Sequence, residues 1–154
     1  MRKKPLFLFL LFFITLFVTS CGDSDRKKIE EVLSNRKNAF ETKNIDLYMS
    51  CISPSYKQET DGKVIGVEEI KRNFLSNVTL FDQIKLSYFD RNIYSGGNRA
   101  SVTQKARVDV SIENDKSKFQ LGENIKLEKI NGKWKIVKES EADFLRGFVF
   151  GGVK

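Results

Sequence analysis

The chain has 154 residues, 40% of them hydrophobic, a mean hydropathy of -0.36 and a formal charge of +7. Arg2, Lys3 and Lys4 supply three of those charges from a segment patterned for removal, and the small surplus left on the rest argues against a nucleic-acid partner. Histidine is absent, which excludes histidine acid–base chemistry and metal sites of the His/Cys type, and no cluster of carboxylates suggests a hard cation.

The three basic residues lead into an apolar run over residues 6–18 and then Thr19-Ser20-Cys21. A basic start, a short apolar stretch and small residues at its end form a secretory signal peptide over residues 1–20. An uncleaved span would need about 20 apolar residues to cross ~30 Å of hydrocarbon, more than this run offers. Val18-Thr19-Ser20-Cys21 resembles the lipobox of bacterial lipoproteins, with Val and Ser in place of the commonest residues. The resemblance implies cleavage before Cys21, a diacylglyceryl group on its thiol and an acyl chain such as palmitate on its amine. Each buried CH₂ contributes about 0.8 kcal/mol, so two or three chains would hold the protein on a membrane lastingly. Simple secretion and an anchor helix are the competing readings. The expected location is the exported side of a bacterial cell envelope, with membrane lipid as a partner through Cys21.

Residues 21–25 read as a short polar tether. Arg26, Lys27 and Lys28 follow it and suit either anionic headgroups or a solvated helix start. Ile29, Val32, Leu33, Arg36 and Phe40 then recur at three- and four-residue steps, the stripe of a helix over about residues 25–43. Asn44 is placed to end that helix and cap a second, whose inner face is Ile45, Tyr48, Met49 and Ile52. Cys51 on this helix reads as a buried, inert thiol, and an acylated Cys21 could not pair with it. Ser53-Pro54 stops the helix, and residues 56–65 form a small hairpin around Asp61-Gly62. Gly66 with Glu68 and Glu69 starts a third helix, buried through Val67, Ile70, Phe74, Val78 and Phe81.

From Ile84 onward the pattern is strand. Ile84, Leu86 and Tyr88 alternate, then Phe89 and Ile93 fall in the opposite phase, which a bulge near residues 88–90 would reconcile. Residues 99–113 form the central strand: Ala100, Val102, Gln104, Ala106, Val108, Val110 and Ile112 share one face, and Lys105, Arg107, Asp109 and Glu113 lie on the other. Phe119, Leu121, Ile125 and Leu127 alternate next, and Asn131-Gly132 turns into a last strand with Trp134 and Ile136 inward. If residues 114–117 close the first of these hairpins, Ile112 faces Phe119, Val108 faces Glu123 and Gln104 faces Leu127. Leu127 also faces Ile136 across the second hairpin.

The predicted architecture is α+β, three helices on a curved antiparallel sheet of about four long strands plus a short hairpin. Its domain covers residues 26–139, and residues 140–154 form a tail with Phe144, Leu145, Phe148, Val149 and Phe150. The tail suits packing over the open end of the sheet or contact with lipid or a partner.

Asn38-Ala39-Phe40 through Asn44-Ile45-Asp46-Leu47-Tyr48, Gly66-Val67-Glu68-Glu69-Ile70 and Asn131-Gly132-Lys133-Trp134-Lys135-Ile136, in that order and spacing, resemble the nuclear transport factor 2-like superfamily. This cone-shaped fold is shared with ketosteroid isomerases and polyketide cyclases. The resemblance implies a pocket between helices and sheet, and often a homodimer through the outer sheet face. It does not fix function, since the fold hosts enzymes and non-enzymes.

Four polar residues are candidates for that pocket. Gln104 is the one polar residue on the inner face of the central strand, placed either at an open mouth or deeper inside. Glu123 falls in phase with the inward residues, unless a bulge at Gly122 turns it out. The register above separates these two by four residues, or ~13 Å, too far for a dyad. Tyr48 and Tyr56 suit either the pocket rim or the core. The expectation is a non-enzymatic envelope lipoprotein whose pocket takes a small apolar ligand or a peptide, or shapes an interaction surface, with no cofactor and no metal. The alternative is an isomerase- or cyclase-like enzyme that uses Glu123 or another buried acid.

Overall fold

The structure, a computed structural model, describes residues 21–60 and 62–140. The signal-peptide segment and the Phe-rich tail beyond Ser140 therefore lie outside the described residues. Among the described residues no helix is long and apolar enough to cross a membrane.

Helix α1 spans Cys21–Thr42, so the expected tether is its first turn rather than an extended leash. It ends where Lys43 adopts φ 56, with Lys43 N–H donating to Phe40 O and Asn44 N–H to Ala39 O. That pair of bonds is a Schellman closure, made here by a lysine in the left-handed conformation. Asn44 then caps α2 (Ile45–Cys51), its side chain accepting from Leu47 N–H at 2.9 Å. Short strands β1 (Gln58–Thr60) and β2 (Lys63–Ile65) pair as the expected hairpin, and α3 (Val67–Val78) follows Gly66.

Four long strands complete the fold: β3 (Gln83–Gly96), β4 (Arg99–Ile112), β5 (Asp115–Ile130) and β6 (Lys133–Glu139), antiparallel in sequence order. The alternation expected on β4 holds, with Ala100, Val102, Gln104, Ala106, Val108 and Val110 buried. Ala100, Val102, Val108 and Val110 share one continuous core with Ile29, Leu33 and Phe40 of α1 and Ile70 and Phe74 of α3. Phe40, Tyr48 and Phe74 form a ring cluster within it, with centroids 4.5–5.3 Å apart.

Two bulges change which side chains the sheet turns inward. On β3 the pairing with β4 slips between Phe89 and Asn92, with Asp90 at φ 53. This is the expected bulge, and it keeps Ile93 against the core. Phe89, however, lies among cations of the neighbouring strand, with Lys105 and Arg107 within 6.0 Å of its ring centre. On β6 the pairing slips between Lys126 and Leu127: Leu127 faces Ile136 as expected, but Lys126 faces Lys138 and Ile125 faces Glu139. The slip exchanges the faces, leaving Lys138 exposed and Glu139 buried.

The β4–β5 register differs from the expected one by four residues. Ile112 faces Asp115, Val108 faces Phe119 and Gln104 faces Glu123. The loop is two residues, Glu113 and Asn114, and not residues 114–117. Glu113 takes φ 53 and donates its N–H to Asp82 Oδ2 at 2.5 Å, so a carboxylate from before β3 fixes the early turn. Ile112 consequently sits beside the turn, largely exposed.

Candidate functional site

A buried arginine organises the polar interior. Arg36 occupies a core position in the apolar stripe of α1, and its guanidinium reaches side chains on β3, β5 and β6. Nε donates to Glu139 Oε1 at 2.5 Å, Nη1 to the Tyr88 hydroxyl at 3.0 Å and Nη2 to Glu123 Oε1 at 2.9 Å. Its plane also lies 5.3 Å from the Phe40 ring centre. Burial by itself disfavours a charged guanidinium, but Glu123 and Glu139 more than reverse that and hold Arg36 well above its ordinary value.

The two carboxylates are completed by neutral donors. Gln104 Nε2 donates to Glu123 Oε2 at 2.6 Å, and the Tyr48 hydroxyl donates to Glu139 Oε2 at 3.0 Å. Arg91 extends the chain outward, donating from Nε to Gln104 Oε1 at 2.7 Å while lying 5.3 Å from the Tyr88 ring centre. Arg91 is only partly buried, and that burial lowers its pKa from the usual arginine value. Burial raises Tyr48 and Tyr88 above the usual tyrosine value, with Glu139 adding to the shift at Tyr48.

The structure thus joins three of the four predicted pocket residues. Tyr48, Gln104 and Glu123 are all buried and connected through Arg36, and Gln104 and Glu123 form the dyad that the expected register forbade. Gly122 does not turn Glu123 outward. Tyr56, also buried, directs its hydroxyl to Gln58 Oε1 at 2.9 Å. Neither tyrosine stands at a rim.

Arg36, Tyr88, Arg91 and Glu139 were not among the predicted residues. Arg36 carried a signal, because a guanidinium at a core position of an amphipathic stripe requires buried counter-charges. Glu139 and Arg91 carried none, since bulges set their direction. Among the described residues no group of acids or cysteines is placed to hold a metal ion. Cys51 is a buried free thiol whose pKa burial raises, in keeping with an inert role.

This architecture has relatives. A family model for the SnoaL-like domain matches residues 29–141, most of the chain. The chain belongs to that family. Among solved structures, this SnoaL-like chain is similar to a candidate dehydratase of the NTF2-like family from Streptomyces avermitilis, with a TM-score of 0.68 at 14% identity over 76% of this chain and 94% of that one. It is similar also to a conserved protein from Planctomyces limnophilus, with a TM-score of 0.69 at 15% identity over 76% and 94% of the two chains. A candidate aromatic ring hydroxylase from Novosphingobium aromaticivorans gives 0.69 at 13% identity over 77% and 88%. At these identities the likeness shows the nuclear transport factor 2-like fold alone. Among curated proteins none matches the SnoaL-like chain by sequence.

Proposed function

We propose that this SnoaL-like chain is a lipid-anchored envelope protein whose domain binds a small apolar molecule or a peptide without transforming it. One observation carries the non-catalytic part: all four oxygens of Glu123 and Glu139 accept a hydrogen bond from Arg36, Gln104 or Tyr48. A general base must present a lone pair to substrate and cycle its charge near the operating pH. Two carboxylates bridged by one guanidinium, with their remaining oxygens capped by an amide and a phenol, are suited instead to bracing α1 against β5 and β6. The anchoring part rests on the Val18-Thr19-Ser20-Cys21 pattern behind a basic, apolar leader. On the outer face of the sheet, ion pairs such as Lys105–Asp90 and Lys118–Asp109 favour a polar partner, including a second copy of the chain, over an obligate apolar interface.

Native mass spectrometry of the detergent-extracted protein tests both parts together. The expected species begins at Cys21, carries acyl mass on that residue and retains an unaltered small molecule or peptide. A species that still begins at Met1, or has no acyl mass, overturns the anchor. Conversion of the retained molecule to an isomer or dehydration product, abolished by Glu123→Gln, would instead establish an enzyme.

A further inference from the structure

Outside the core, α1, the end of α2 and the start of β6 enclose a largely apolar groove of about 340 Å³ that charged side chains also line. Lys28, Lys133 and Lys135 line it, with Val32, Asn35 and Trp134, and among the described residues Glu31 is its one carboxylate. Lys135 donates to the Ser50 carbonyl across the groove, while Lys28 and Lys133 are exposed. Nearby acids are largely matched: Asp25 accepts from Lys129 Nζ at 2.8 Å and Trp134 Nε1 at 3.3 Å, and Glu30 pairs with Arg26. Within the groove three lysines stand against the single carboxylate of Glu31, so its described lining keeps a positive surplus.

The groove is fixed relative to the start of the helix. Asp25 bolts the first turns of α1 to the β5–β6 hairpin, and the Lys129 ammonium beside it holds its carboxyl below the usual aspartate value. Lys28 lies seven positions beyond Cys21 along the helix, a rise of about 10 Å. The polar zone of a bilayer is about 5–8 Å deep on each side. Upright, the helix would carry Lys28 just past that zone; leaned toward the bilayer, with a lipid on Cys21, it would bring Lys28 and the groove to the level of the headgroups.

We infer that this groove seats the phosphate of an anionic phospholipid in the anchoring membrane, and so sets the tilt of the domain on the bilayer. The inference rests on the anchoring of Cys21 proposed above. Lys28 and Lys133 would approach the phosphate from α1 and from the β5–β6 turn, and the Trp134 edge and the Lys135 stem would line the apolar side toward the glycerol.

The test is amine acetylation of the full acylated chain in vesicles of phosphatidylcholine with or without phosphatidylglycerol, read residue by residue by mass spectrometry. Lys28 and Lys133 should label about fivefold more slowly with phosphatidylglycerol present, the factor expected for roughly 1 kcal/mol per surface lysine. Lys116 and Lys118, at the opposite end of the sheet, should label equally in both. Lys133→Glu should remove the protection at Lys28. Flotation with the vesicles but equal labelling overturns the groove and leaves the anchor standing. Failure to float overturns the anchor, and the headgroup site with it. Protection in phosphatidylcholine vesicles by added inorganic phosphate, at the same level as phosphatidylglycerol, overturns the lipid as the source of the anion.

Discussion

On the inner side of the sheet Arg36 meets Glu123 and Glu139 with side chains no more than 3% exposed, whereas Arg99 and Glu128 meet at 86% and 41% exposure. The chemical groups are the same, and β5 supplies a glutamate to each. Water makes the difference. At Arg99 it screens the pair, and its loss is easily compensated by hydration. At Arg36 no water replaces a missing partner, so each of the three charges depends on the others. An ion pair in this fold is therefore structural or incidental according to which side of β4 and β5 it occupies.

The comparison can be broken at its strong end first. Arg36→Met leaves two buried carboxylates without their cation, and should cost about 3–5 kcal/mol in urea denaturation. A loss below about 1 kcal/mol would place Arg36 on the same footing as Arg99. An intermediate effect is expected in alkali. Tyr48 and Tyr88 have raised values in the folded chain, so their stabilisation is fully present below the ordinary tyrosine value of 10.0 and is lost as pH rises through the folded-state values. Thermal melts should fall off above pH 10.0, each buried phenol adding a slope of about 1.4 kcal/mol per pH unit. Tyr88→Phe should make that fall shallower, and an unchanged slope would remove Tyr88 from the account. The smallest effect belongs to Arg99→Ala, which should shift stability by no more than about 0.5 kcal/mol in the same denaturation experiment.

Much of this architecture was legible from local pattern. The stripe on α1, the Asn44 cap, the Asn131-Gly132 turn and the alternation along β4 depend on residues close in sequence, and the structure has each of them. The interior site was legible only in part, because its partners are distant. Arg36 meets Glu123 87 residues on and Glu139 103 residues on. Glu139 faces inward only because β6 slips by one residue after Ile136. The Gln104–Glu123 pair depends on a two-residue turn at Glu113 and Asn114, which Asp82 stabilises from another segment. Hydrophobic periodicity gives the face of a strand, but the turn gives its register, and here a remote carboxylate fixes the turn.

The central claim is that Arg36 braces the two buried carboxylates through charge-assisted hydrogen bonds, so that their burial depends on it. Its most direct test is the urea stability of Arg36→Met beside that of the triple variant Arg36→Met, Glu123→Gln, Glu139→Gln. With the carboxylates made neutral the orphaned charges disappear, so the triple variant should recover most of the about 3–5 kcal/mol lost by the single one. A triple variant less stable than Arg36→Met would contradict the account, because the two glutamates would then contribute independently of the arginine.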